Sequence, residues 1–164
     1  MTDTFQAILG LRAIRDYRDE PISAEHLDKI LEAARWTGSS KNVQGWSFVV
    51  ITDDEALEGL SAHGDFTQPI RDSAATVVLV QEPQGNMFDI GRAAQNIMLA
   101  ADAIGVASCP ITLHRSEDAG EWLGVPEGSQ VRYAVALGYP ADGAEPRRYG
   151  GRKPTTEVVK RGSY

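Results

Sequence analysis

Leu11-Arg12-Ala13-Ile14-Arg15 and, one helical segment later, Gly38-Ser39-Ser40-Lys41-Asn42-Val43-Gln44-Gly45-Trp46 carry the reading of this chain. The first stretch sets two guanidinium groups three residues apart near the N-terminus. Such groups are planar, permanently charged donors matched to phosphate oxygens. The second is a polar, amide-rich loop that runs straight into an apolar segment. Asn42 and Gln44 each offer a donor and an acceptor for the edge of a heterocycle. Neither stretch is specific alone: Arg pairs occur on solvated faces, and Ser/Asn/Gly segments form plain turns. Their order along the chain is helix, Arg pair, helix, amide loop, strand. That order points to a flat, hydrogen-bonding ligand that carries a phosphate.

Outward from these stretches, Phe5, Ile8 and Leu9 have helical spacing, and Gly10 ends that helix. Ser23 is a good N-cap for a helix with Leu27, Ile30, Leu31 and Ala34 on one face, and Gly38 is placed to stop it. Trp46 to Ile51 and Ala75 to Gln81 read as buried strands, with Thr52 or Asp53 capping a short helix through Leu60 between them. Trp46 and Phe48 read as core residues. The segment Phe88–Ile104 is apolar around much of its circumference, so it is buried on several sides or packs partly on a second subunit. Gly105 ends it, and Ala107–Ile111 and Val131–Leu137 read as further strands. Residues 141–151 are rich in Pro, Gly and Arg and have no core pattern, so they read as an arm that orders on a surface outside its own fold. Pattern alone gives a sheet flanked by helices.

The 164 residues, 42% hydrophobic and 24% charged, suit one soluble domain with a core. No apolar run is long enough to cross a bilayer and no signal-peptide pattern opens the chain, so no membrane association is expected. The single cysteine, Cys109, fits a reducing cytoplasm and reads as a small apolar strand residue. A net charge of −7 argues against nucleic-acid binding, and it requires any anion site to gather its cations locally. The clearest basic cluster is Arg147, Arg148, Arg152 and Lys153. His26, His63 and His114 are scattered without metal-ligand spacing, and no nucleophile elbow or dinucleotide fingerprint occurs. An enzyme built this way borrows its reactivity from a cofactor.

The ordered set of segments resembles the nitroreductase family of flavin mononucleotide (FMN) enzymes. Arg12-Ala13-Ile14-Arg15 looks like the family's Arg-Ser-x-Arg phosphate motif, and Pro21-Ile22 like its Pro-Ile before the second helix. Gly38 to Trp46 looks like Pro-Ser-x-x-Asn-x-Gln-Pro-Trp. Gly91 to Ala101 resembles the central helix, and Gly105 to Ile111 the Gly-x-x-Ser-x-Pro-Ile segment. Leu137-Gly138-Tyr139-Pro140 and Gly151-Arg152-Lys153-Pro154 resemble a late strand end and a C-terminal phosphate arm. The likeness runs from about Phe5 to Val159. Four positions depart from the pattern: Leu11 stands for a first Arg, Ala13 for Ser, and Gly38 and Gly45 for prolines.

The resemblance implies an α+β sandwich with a central mixed sheet, built as an intertwined homodimer. Residues 1–164 would form one FMN-binding domain, with 141–164 as an arm embracing the partner subunit. Arg12, Ala13, Arg15, Arg152 and Lys153 would hold the phosphate. Ser39, Ser40, Asn42 and Gln44 would line the ribityl chain and the pyrimidine edge. Pro110, Ile111, Thr112 and Leu113 would pass behind the ring, with the amides of Thr112 and Leu113 facing it. No side chain is assigned a catalytic or metal-ligating role, because the flavin carries the chemistry. The implied activity is hydride transfer from NAD(P)H to a nitroaromatic, quinone or similar small acceptor by a ping-pong cycle. Two variants use the same scaffold: a non-catalytic flavin-sequestering protein, and a flavin-linked dehalogenase or flavin-degrading enzyme. Only Glu82 to Met87 spans the gap where longer members carry inserted helices, so the pocket is expected to be open or closed by a partner's loop.

Overall fold

The structure is a computed structural model that describes residues 3–147 and 150–164. Its helices are α1 (Thr4–Gly10), α2 (Ala24–Arg35), α3 (Asp54–Ser61), α4 (Gln68–Arg71), α5 (Met87–Ala103), α6 (Ser116–Leu123) and α7 (Thr155–Val158). Its strands are β1 (Trp46–Ile51), β2 (Ala75–Gln81), β3 (Ala107–Thr112) and β4 (Gln130–Gly138). The sheet order is β1-β2-β4-β3. Every neighbouring pair runs antiparallel, which corrects the mixed sheet expected from the sequence. The cause is topological. Strands β2 and β3, joined by α5, point the same way, but β4 inserts between them.

Alternation along β2 divides the core between the two faces of the sheet. Val78 and Val80 face α3, α4 and α6, where they meet Leu57, Leu60, Ile70 and Ile111. Val77 and Leu79 face α2 and α5, where they meet Ile30, Ala34, Ile90, Ala93 and Ile97. In β4 the alternation slips: Val131 and Ala134 share one face. A register shift between Leu79 and Val80 leaves Arg132 as the extra residue, a β-bulge that restores the inward set beyond it. Helix α5 buries one stripe completely, Ile90, Ala93, Ile97 and Ala101, and leaves Phe88 75% exposed. Trp46 and Phe48 are half-buried against the α2/α5 side of the core.

The caps follow local chemistry. Ser23 accepts from the His26 amide, Asp53 from Ala56, and Asn86 from Asp89. Gly105, at φ +76°, closes α5 in a left-handed turn that favours glycine. Gly38 does not stop α2 as expected. The helix ends at Arg35, where Trp36 follows as cap, and Gly38 serves a different purpose described below.

The short connection from β2 to α5 makes the tightest backbone approach near the amide loop. The Gly85 amide donates to the Glu82 carbonyl at 2.8 Å, and the Glu82 amide donates to the Gly45 carbonyl at 3.1 Å. A side chain at Gly45 would fall on Gly85, whose nitrogen lies 2.6 Å from the position a Cβ would take. Backbone meets backbone here, so neither side can give by a rotamer change. Gly85→Ala should therefore cost about 1–3 kcal/mol, as overpacking does. For a domain of this size that lowers Tm by roughly 2–10 °C, readable by thermal circular dichroism. An unchanged Tm would show that the turn shifts freely.

Candidate functional site

The segment between α1 and α2 has no helix or strand of its own, yet it is held closely to the sheet. The Ile14 amide donates to the Ser108 carbonyl at 3.1 Å, and the Arg18 amide to the Tyr139 carbonyl at 2.8 Å. Tyr17 bridges to Pro140, and its hydroxyl donates to the Ile14 carbonyl at 3.0 Å. Gly138 lies under the Tyr17 ring, where a Cβ would come within 2.8 Å of ring carbons. Ala13 packs against the core. The chain is thus fixed on both sides of Arg15.

Strand β3 is the edge strand to which this segment is attached. Its register pairs residue 112 with 133 and 110 with 135, and the Leu113 amide donates to the Arg132 carbonyl at 2.8 Å. In an antiparallel pair the hydrogen-bonded positions alternate. Ile111 and Leu113 therefore direct their backbone groups at β4, whereas Ser108, Pro110 and Thr112 direct theirs outward. Proline is tolerated at such a position because no ladder donor is lost. This corrects the expectation that the Leu113 amide faces a ligand: it is engaged within the sheet, and the residue is fully buried. The Ile111 side chain is likewise core. Pro110 and Thr112 remain on the outer edge.

Against that edge the structure gathers cations. Arg12, Ala13, Arg15, Arg147, Gly151 and Arg152 line a cavity of about 490 Å³. No carboxylate is among the described residues that line it. An adjoining cavity of about 330 Å³ shares Arg12, Ala13 and Arg152, and adds Leu9, Leu11, Gln95, Met98 and Pro110. The combination is a cationic chamber beside a slot that Leu9, Leu11, Met98 and Pro110 line. Arg12 folds back so that Nη1 donates to the carbonyls of Leu9 (2.8 Å) and Leu11 (2.7 Å) at the end of α1. Burial pushes the Cys109 thiol up in pKa, against the opposing pull of the nearby Arg15 and Arg147 guanidiniums. Cys109 thus stays a protonated, apolar strand residue.

The structure brings together Arg12, Ala13, Arg15, Arg152 and Pro110, and adds Arg147, Gln95 and Met98, which were not assigned to the site from sequence. Arg147 had been read as part of a basic cluster. Gln95 and Met98 belong to a helix whose facing surfaces the sequence pattern does not assign. Lys153 is exposed and lines neither cavity. Arg148 lies outside the described residues.

Ser39, Ser40, Asn42 and Gln44 line neither cavity. Their loop rests on a different face of α5: Arg92 Nη1 donates to the Gly38 carbonyl at 2.6 Å, and Asn96 Nδ2 to Thr37 Oγ1 at 2.9 Å. At about 100° per residue, Asn96 projects about 100° from Gln95 and about 160° from Met98, and Arg92 about 60° and about 120° from them. Within the loop, Lys41, Asn42 and Gln44 have φ of 53°, 56° and 50°. Non-glycine residues rarely occupy that region, and each does so at a cost of about 1–3 kcal/mol.

The fold and site define an α+β protein with a cationic cavity on the open edge of its sheet. The nitroreductase family model matches residues 8–65 and 60–139, and the chain belongs to the nitroreductase family. A relative from Archaeoglobus fulgidus is 34% identical over 153 residues, covering 87% of this chain and 88% of its own; its name carries NADH dehydrogenase/NAD(P)H nitroreductase as a provisional activity. The crystal structure of nitroreductase A from Vibrio parahaemolyticus superposes with a TM-score of 0.90 at 28% identity, over 100% of this chain and 77% of that one. An NADPH:FMN oxidoreductase from Vibrio harveyi, solved with NAD+, superposes at 0.87 with 27% identity, over 98% and 77%. No helix among the described residues is long and apolar enough to cross a membrane.

The anchoring of the arginine segment has a pH signature. Burial holds the Tyr17 hydroxyl far above the ordinary phenol range. In the unfolded chain it titrates near ~10. Above that pH the unfolded state releases a proton that the folded state keeps, so stability falls by up to about 1.4 kcal/mol per pH unit. Tyr17→Phe should remove this contribution and flatten the alkaline limb. Urea denaturation of both proteins between about pH 9 and pH 11 measures it. Parallel losses in the two would place the Tyr17 hydroxyl in water.

Proposed function

We propose that the chain is an FMN-dependent oxidoreductase that accepts hydride from NAD(P)H and reduces a small acceptor such as a nitroaromatic or quinone. The observation that carries this reading is the convergence of Arg12, Arg15 and Arg152, with Arg147 beside them, on one cavity that no carboxylate lines among the described residues, in a chain of net charge −7. Guanidiniums gathered at one cavity are planar, permanently charged donors matched to the oxygens of a phosphate dianion. The donor set fits a terminal monophosphate. The adjoining slot with Pro110 and Met98 fits a flat ring. Bound FMN supplies the redox chemistry, in a ping-pong cycle between nicotinamide and acceptor. The protein's part is to hold the phosphate, to orient the ring against the edge of β3 and to exclude it from bulk water on that side.

A second element of the reading is a two-fold dimer that completes each site. Helix α1 buries no residue, and Phe5, Ile8 and Leu9 are 62%, 54% and 53% exposed. Residues 150–164 are exposed throughout and have no core of their own, as suits an arm that embraces a partner within the single domain 1–164. Because Ser39, Ser40, Asn42 and Gln44 lie around α5 from the arginine cavity, they serve the flavin of the partner subunit in this arrangement. Sedimentation at low protein concentration should give a dimer. A stable, flavin-loaded monomer would exclude the shared site.

Arg15 separates charge from packing. Arg15→Lys loses the planar fork, and Arg15→Glu replaces attraction by repulsion. Loss of one charge-assisted hydrogen bond, roughly 1.5–3 kcal/mol, raises the FMN dissociation constant about ten- to a hundred-fold. Arg15→Glu should be weaker still. Flavin fluorescence titration measures this, with far-UV circular dichroism as the folding control. Equal affinities across the three proteins would remove the phosphate from this cavity. The non-catalytic alternative is kept alive by the missing lid and by Leu11 and Ala13, and it is distinguished by turnover of NADH or NADPH with a quinone acceptor: tight FMN binding without turnover would establish sequestration.

A further inference from the structure

The loop from Ser39 to Gln44 holds three non-glycine residues, Lys41, Asn42 and Gln44, in the left-handed region. Such a conformation persists only where the surroundings over-determine it. The surroundings here act at both ends. At the exit, Gly45 is pressed against Gly85, and its carbonyl accepts from the Glu82 amide at 3.1 Å. Inside, Ser39 Oγ accepts from the Gln44 amide at 2.9 Å. At the entry, the Gly38 carbonyl accepts from Arg92 Nη1 at 2.6 Å, which makes it the shortest and the one charge-assisted bond of the set.

Arg92 is itself anchored. Its Nη1 lies 3.4 Å from Oδ1 of Asp89, a buried carboxylate whose Oδ2 accepts from Asn86 Nδ2 at 2.9 Å. Its guanidinium also lies 5.6 Å from the centre of the Phe88 ring. A Cβ at position 38 would meet Arg92 Nη2 at 2.9 Å, so glycine there admits the guanidinium. Asp89, Arg92 and Gly38 therefore form a chain of contacts from the first turns of α5 to the start of the strained loop.

We propose that Arg92 is a positioning residue: through the Gly38 carbonyl it holds the Ser39–Gln44 loop in its ligand-ready conformation and so sets flavin affinity without touching the phosphate. The inference rests on the reading that this loop contacts the ribityl chain and ring. Without Arg92 the left-handed residues relax toward ordinary backbone angles, and binding must first restore them. That cost falls on every flavin alike, with or without a phosphate.

The experiment compares wild type, Arg92→Ala, Arg92→Lys and Asp89→Asn, with Arg15→Lys as reference. Amide hydrogen exchange in the flavin-free protein reads the loop directly, and fluorescence titration with FMN and with riboflavin reads binding. Arg92→Ala should speed exchange across residues 39–44 and raise both dissociation constants by about the same factor, roughly ten-fold. Arg92→Lys, which keeps a charged donor for Gly38, should recover part of both effects. Asp89→Asn, near-isosteric, should move both in the direction of Arg92→Ala but less. Arg15→Lys should weaken FMN and leave riboflavin unchanged. Unchanged exchange in Arg92→Ala would overturn the clamp. Faster exchange with both affinities unchanged would overturn the assignment of the loop to the flavin, while the arginine cavity stands or falls on the Arg15 result. Weakening of FMN alone would place Arg92 at the phosphate and overturn the proposal.

Discussion

The hydrogen bond from the Ile14 amide to the Ser108 carbonyl, 3.1 Å long, governs the geometry of the candidate site. Strand β3 is an edge strand, and an edge strand offers a row of unpaired backbone groups. Most proteins cover or blunt such a row. Here one carbonyl of it is used to fix the arginine segment, which places Arg12 and Arg15 on either side of the attachment point. Proline at 110 removes the next donor on the same side, and Thr112 keeps the one beyond. The edge is thus taken up by the arginine segment at Ser108, and at its other end by the turn around Gly64, where the Thr112 carbonyl lies 2.9 Å from the position a Gly64 Cβ would take. Tyr17 secures the arrangement from behind, with its ring over Gly138 and its hydroxyl on Ile14.

Charge then decides what the cavity is suited to hold. In a chain with 23 acidic and 16 basic residues, four arginines line one cavity with no carboxylate among the described residues that line it. Arg15 and Arg147 also line a neighbouring cavity with Asp16, Asp65 and Asp72, and Asp65 pairs with Arg115 at 2.8 Å. Planar, permanently charged donors gathered at one cavity suit an anion such as a phosphate.

Much of this was legible in the sequence where one physical rule acted alone. The apolar runs of β1 and β2 gave their bounds residue for residue, and the caps at Ser23 and Asp53 marked α2 and α3. Helix α4 was not legible because four residues have no periodicity, and α6 because its buried residues are only Ala119 and Gly120, with Leu123 partly buried beside them. Gly38 read as a helix stop by composition, whereas its lack of a side chain serves Arg92. The arginines of the site were legible because cations are the minority charge. The amide of Leu113 was not, since one residue of register decides whether a backbone group faces the sheet or the ligand. Nor does linear order say that the amide loop and the arginines flank different faces of α5.

The departures of Gly38 and Gly45 from the family's prolines look at first like a loosening of the amide loop, since glycine frees the backbone that proline restricts. The structure argues the reverse. A proline ring at 45 would carry a Cβ onto Gly85, and the turn from Glu82 to Asn86 reaches that point because no helix intervenes between β2 and α5. A side chain at 38 would press on the guanidinium that holds the loop's entry. Both glycines are therefore consequences of neighbours that grip the loop from outside. Rigidity built into the backbone has been exchanged for rigidity imposed by α5 and a tight turn. The three left-handed residues, at φ between 50° and 56°, are the measure of how firmly those neighbours hold.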